Sequence, residues 1–298
     1  MSLMKSRDIA ADSEVVSTTS PLRRRLLRML LWLLLIPVLF VSVLFVGQRK
    51  MMYLPRKHGP VPAAQLPPGA AQSEFTTDAG RQIAFYIPPR SDASPEHVWL
   101  IQGGNAAVAL NYLDVAEGCP DESAGFLLID YPGYGLSEGK PTRRTIIEST
   151  EAAVDALAAH LGSTTADLSP RLRLLGQSLG CAAVLEFAGH HQVDRIVLIS
   201  PFTRVVDMAK RMVGWPLCHL ALDRFDNRAR LAEIAAQPNR PDITLFHGDA
   251  DEIVPVAMGR ALAAVHPDWI TYIEIPGGDH NSIWPLIEQQ VFDAMTAP

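Results

Sequence analysis

The sequence predicts an α/β fold: a mostly parallel open sheet flanked by helices, preceded by one N-terminal transmembrane helix. Three observations predict it. Short apolar runs recur beyond residue 80, separated by longer segments of helical periodicity. Several of these runs are hydrophobic throughout rather than alternating, as strands covered on both faces must be. A stretch near the N-terminus, Met29 to Gly47, carries no charge at all.

The first element is a polar arm over residues 1–22, expected to be disordered, followed by an expected anchor over 23–47. Its apolar part, "MLLWLLLIPVLFVSVLFVG", spans roughly 28 Å as a helix, close to the thickness of a bilayer's hydrocarbon layer. Pro37 is tolerated in such a setting because neighbouring groups take up the freed carbonyl. A cleaved signal has an apolar core of about 7–15 residues and a small-residue cleavage site. This run is longer and passes into Gln48-Arg49-Lys50-Met51-Met52 without one, so an uncleaved single-pass anchor is expected. Arg23, Arg24, Arg25 and Arg28 before the span balance Arg49, Lys50, Arg56 and Lys57 after it. Lys5 and Arg7 tip the arm towards the cytoplasm and place the domain over 48–298 on the non-cytoplasmic side.

The 298 residues are 48% apolar and 19% charged, enough for one large domain with a sizeable core. A net charge of −6 gives no reason to expect a nucleic-acid partner. Cys119, Cys181 and Cys218 form neither a disulfide-dense pattern nor a metal-binding C-x-x-C, and Cys181 reads as a small buried thiol. No internal repeat is visible.

After a connector rich in proline (Pro55, Pro60, Pro62, Pro67, Pro68), strands are expected at 82–87, 97–102, 125–130, 171–176, 195–200, 242–247 and 270–275. Between them, "TRRTIIESTEAAVDALAAHLG" (142–162) reads as a helix with Ile147, Val154, Leu157 and Leu161 on one face and Glu148, Glu151 and Asp155 on others. Strand–helix alternation of this kind implies parallel strands joined by right-handed crossovers. Ligands of such sheets sit beyond the carboxyl ends of the strands, so the residues after each run carry the information.

The strand at 171–176 leads through "GQSLG" into a helix. In a strand–turn–helix setting, G-x-S-x-G is a nucleophile elbow that lifts the Ser178 hydroxyl clear of the sheet. Side chains at Gly176 and Gly180 would collide with the neighbouring strand and helix. A serine hydroxyl needs a base, and the base needs an acid, expected in the chain order Ser, Asp or Glu, His. His280, in the glycine-rich turn "PGGDHNSI" after the last strand, is the candidate base; His97, His190, His191 and His247 read as structural. In "GDADEIVP" the acid is Asp249, Asp251 or Glu252, and spacing does not choose among them. Asp279 reads as bonding its own turn. An oxyanion needs donors: the backbone N–H of Leu179, and one from the loop "GGNAA", Asn105 or Gly104, where Gly103 and Gly104 let the backbone approach closely.

With "QRKMMYLP", "GGNAA", "DYPGYGLSEGKPT", "GQSLG", "ISPF", "HGDADEIVP" and "GGDHN" in this order, the chain from about residue 48 resembles the α/β-hydrolase superfamily. More narrowly, it is similar to membrane-anchored serine hydrolases with a minimal lid. The family pattern H-G-x-x-D-x-x-V-P implies Asp251 as the acid. "QGGN" replaces the commoner histidine before "GN", and Pro132 stands where arginine or serine is common. The resemblance implies hydrolysis of carboxylic ester, thioester or lipid acyl bonds without a cofactor or metal. Its substrate would be an acyl ester or lipid-like molecule. A peptidase or amidase of the same fold, and a non-catalytic membrane-tethered binding module, are the alternatives. Residues 203–241 leave room for two short helices where a lid would sit, so an open site is expected.

Overall fold

A computed structural model describes residues 21–91 and 94–297. The chain divides between Val46 and Gly47 into two compact units. The expected disordered arm falls, up to residue 20, outside the described residues. Helix α1 runs Pro21–Met52 and continues through Pro37. It is long and apolar enough to cross a membrane, and none of its most apolar window is buried. By length and composition alone, a membrane span and a signal sequence both meet that description.

The second unit is built on a sheet of eight strands among the described residues, ordered β1-β2-β4-β3-β5-β6-β7-β8. The strands are β1 (Ala71–Thr77), β2 (Gly80–Ile87), β3 (His97–Gln102), β4 (Ala124–Ile129), β5 (Leu172–Gln177), β6 (Arg195–Ile199), β7 (Asp242–Gly248) and β8 (Ile270–Ile275). The β1–β2 and β2–β4 pairs are antiparallel and all others parallel. The seven expected strands are all present. Strand β1 lies outside those expectations because it is an edge strand alternating half-buried with exposed residues, and "AQSEFTT" has no solid apolar run.

Helices α2 (Leu113–Gly118), α3 (Arg143–His160), α4 (Thr165–Leu168), α5 (Leu179–His190), α6 (Val205–Val213), α7 (Asn227–Ala235), α8 (Val256–Ala263) and α9 (Trp284–Thr296) complete the unit. The pleat sends neighbouring strand residues to opposite faces. Leu174 belongs to one core cluster with Val154, Leu157, Leu185, Leu231 and Leu262 of α3, α5, α7 and α8. Leu175 packs with Val115, Ile287, Val291 and Met295 of α2 and α9. On α3, capped by Thr142, Val154 and Leu157 are buried, Ile147 and Leu161 are half-buried, and Ile146 is the fully buried isoleucine.

Of the two helices expected in the lid region, α7 packs Leu231 and Ile234 into the sheet-covering core. Helix α6 has no buried residue.

Candidate active site

The parallel strands deliver their chemistry at one edge. Strand β5 ends at Gln177, and Ser178 follows with φ 54° and ψ −112°, a left-handed conformation rare outside glycine. Its N–H is held by the Ile199 carbonyl of β6 at 2.8 Å, and α5 starts at the next residue. The elbow is tight for a reason visible in its glycines. A Cβ on Gly176 would lie 2.6 Å from the Cys181 nitrogen, and one on Gly180 would run into the Gln102 carbonyl and come 2.8 Å from the Gly103 oxygen. Both neighbours are backbone and cannot swing aside. The Cys181 thiol, fully buried, bonds the carbonyls of Gly176 and Ile199, a structural role.

His280 arrives from the loop after β8. Its Nε2 is 3.0 Å from Ser178 Oγ and its Nδ1 is 2.7 Å from Asp251 Oδ2. With Nδ1–H donating to the carboxylate, Nε2 is left free to accept the serine proton. Asp251 and His280 are 6% and 7% exposed, while Ser178 is half-buried. The other Asp251 oxygen accepts the amides of Ile253 and Val254 at 3.0 and 2.7 Å. Burial would raise the Asp251 carboxyl, but hydrogen bonds from His247 and His280 and the Val254 amide outweigh it. They hold the group well below the usual carboxylate range.

The competing carboxylates are occupied elsewhere. Asp249 Oδ1 accepts the Gly277 amide at 2.7 Å, Glu252 is exposed, and Asp279 bonds Asn281 and Ser282 of its own turn. The acid loop and the histidine loop are stitched together by Ala250 N–H to Gly278 O (3.1 Å). Gly248 and Gly278 pack backbone against backbone there, and a Cβ on Gly248 would come 2.8 Å from the Gly278 Cα.

Gly104 lies against the nucleophile: a Cβ there would be 3.7 Å from Ser178 Cβ. The buried Tyr112, whose pKa is raised chiefly by burial, donates its hydroxyl to Gln177 Oε1 at 2.7 Å, next to the nucleophile in the chain. Asn105 is clamped from several sides. Its carbonyl accepts the Tyr134 hydroxyl (2.6 Å) and the Leu54 amide (3.0 Å), and its side-chain amide donates to the Met52 carbonyl (3.1 Å). Tyr131 donates to the Gly103 carbonyl at 2.6 Å. Tyr112, Tyr131, Tyr134 and the segment Met52–Leu54 are the supports that sequence reasoning missed. The motifs "QRKMMYLP" and "DYPGYG" contain Met52–Leu54, Tyr131 and Tyr134, but a tyrosine reads as core until its hydroxyl has a partner.

The architecture is that of an α/β hydrolase. The chain belongs to the α/β-hydrolase superfamily. A family model described as serine aminopeptidase, S33, matches residues 93–229. Among relatives, an uncharacterized Mycobacterium tuberculosis protein, Rv2307c, is 30% identical over 252 residues, covering 83% of this chain and 85% of the relative. Among solved structures, an α/β hydrolase from Vibrio vulnificus superposes with a TM-score of 0.64 at 14% identity, covering 94% of this chain and 95% of the other. An esterase from Pyrococcus furiosus gives 0.61 at 17% identity, covering 82% and 95%.

Proposed function

We propose that the protein is a serine hydrolase that cleaves carboxylic ester, thioester or lipid acyl bonds through an acyl-enzyme. The observation that carries this reading is the unbroken chain Ser178 Oγ–His280–Asp251, with contacts of 3.0 and 2.7 Å. His280 Nε2 takes the hydroxyl proton as Ser178 Oγ attacks the acyl carbon. The resulting oxyanion accepts two N–H donors, Leu179 at the first position of α5 and one from the loop after β3, Asn105 or Gly104. The imidazolium, stabilised by ionised Asp251, returns the proton to the leaving group. Water then attacks the acyl-enzyme by the same route.

Residues 23–47 serve as an uncleaved anchor and 48–298 as the catalytic domain, on the non-cytoplasmic side. The 32-residue apolar helix supports the anchor. Lys5 and Arg7, which tip an otherwise even count of flanking cations towards the N-terminal arm, support the side. A peptidase of the same fold is the second reading, favoured by the match to the serine aminopeptidase model.

The test is labelling of the full chain with a fluorophosphonate, followed by a panel of acyl esters, an acyl thioester and an aminoacyl anilide. Labelling at Ser178 with ester turnover is expected. A chain that neither labels nor turns over any of the panel is not a serine hydrolase, and preference for the anilide selects the peptidase.

A further inference from the structure

Helix α6 has no buried residue, and large apolar side chains of α6 and of the turn after it are exposed. Val205 and Met208 of α6 pack against a buried cluster that contains Leu179, beside the nucleophile, and Val254, beside the acid. Met212 lies one helical turn beyond Met208 and is 64% exposed; Trp215 is 75% exposed, Leu222 45% and Leu220 42%. An apolar track therefore leaves the candidate active site and ends in open solvent.

The same turn is bound to the start of the second unit. Gln48 donates to the Leu220 carbonyl (3.2 Å) and accepts the Leu222 amide (2.8 Å), and Arg49 pairs with Asp223 at 2.8 Å. Gln48 and Arg49 are the first residues after the uncharged run of α1. If that run lies in a bilayer, chain connectivity holds Gln48 at its boundary, and the residues bonded to Gln48 are held there too. Met51 and Leu54 are exposed beside them in the chain.

The charge agrees. Over 204–224 the cations are Arg204, Lys210, Arg211 and Arg224, and the only carboxylates are Asp207 and Asp223, both paired with arginines. Residues 48–58 add Arg49, Lys50, Arg56 and Lys57 with no carboxylate, in a chain whose net charge is −6. Exposed apolar side chains in segments with an excess of cations suit the interface of an anionic bilayer.

We infer that Met212, Trp215, Leu220 and Leu222 seat in a lipid leaflet, so that an acyl chain passes from the membrane along Met208 and Val205 to Ser178. This rests on the proposed anchor and hydrolase readings and adds a second membrane contact, made by the catalytic unit itself.

The test uses the full chain in vesicles of phosphatidylcholine and phosphatidylglycerol carrying bromine-labelled acyl chains, with Trp32→Phe removing the tryptophan of α1. Bromine-dependent quenching of fluorescence is expected and should disappear in Trp32→Phe/Trp215→Phe. The triple variant Met212→Ser/Trp215→Ser/Leu222→Ser should lose at least about tenfold in turnover of a long-chain ester presented in the vesicle. Its turnover of a short water-soluble ester should stay as in wild type. Equal quenching with and without Trp215, or equal losses on both esters, overturns the inference. Alkaline carbonate extraction separates the failures. A chain that stays in the membrane pellet with Trp215 unquenched refutes the rim alone, and a chain that is released refutes the anchor and the rim with it. Absence of turnover on the soluble ester by the wild type refutes the hydrolase reading instead.

Discussion

Ser178 Oγ and His280 Nε2 stand 3.0 Å apart across 102 positions of sequence. Their strands, β5 and β8, are not neighbours: β6 and β7 lie between them. The contact is possible because the strained turn at Ser178 raises the hydroxyl above the sheet while the loop after β8 folds back over β7. Asp251, on the loop after β7, occupies the intervening position and bonds the far side of the imidazole.

Asp251→Asn should keep this geometry and lose the charge that stabilises the imidazolium. Turnover of an activated ester is expected to fall by roughly 10²–10⁴. Asp249→Asn, which touches only the Gly277 amide, and Glu252→Gln, on the surface, should each stay within about tenfold of wild type. A large loss at either of these, with Asp251→Asn active, would reassign the acid.

The Asp251 carboxyl also fixes a pH dependence of stability. Its folded pKa lies below the unfolded value of about 3.9, so the unfolded chain binds the proton more readily. The stability it contributes is therefore present in full above that value and drains away as pH falls through the depressed folded value. Melting temperatures of wild type and Asp251→Asn should differ by a steady amount from neutral pH down to about 4 and converge only below it. Convergence already near neutral pH would show that Asp251 is not held ionised.

Gly180→Ala and Gly104→Ala should separate packing from crowding at the elbow. The first drives a methyl into the Gln102 carbonyl and is expected to cost about 1–3 kcal/mol of stability and most of the turnover. The second places its methyl in ordinary contact with Ser178 and should melt within about 1 kcal/mol of wild type while slowing turnover. Denaturant unfolding of both variants, beside ester kinetics, checks the contrast; equal stability would mean the elbow is looser than its distances.

Tyr134→Phe removes the hydroxyl that donates to the Asn105 carbonyl and accepts the Leu54 amide. The fold retains the Leu54–Asn105 bond, so the expected loss is about 1–2 kcal/mol of stability. If Asn105 supplies an oxyanion donor, kcat should drop by up to about tenfold with KM little changed, because a looser loop weakens a bond made in the transition state. A change in KM alone would assign Tyr134 to substrate binding.

Much of this protein is local and so was legible in its sequence. Apolar runs doubly covered by helices must be hydrophobic throughout, which marked seven strands. The glycines around Ser178 marked the elbow, because a close backbone approach excludes any Cβ. The order of strand ends put Ser178, the acidic segment and His280 on one edge of the sheet. Other features depend on contacts between distant segments, and their physical reason lies in the tertiary structure. Asp249, Asp251 and Glu252 are equivalent by spacing from β7, and only the family pattern pointed to Asp251; in the fold the Gly277 amide captures the first, solvent takes the last, and Asp251 meets His280. Strand β1 exists because β2 offers it an edge, although its own sequence has no apolar run. The hold of Tyr134, Met52 and Leu54 on Asn105 joins three separate stretches of chain, and hydrogen-bond partners so far apart leave no periodic trace in any one of them.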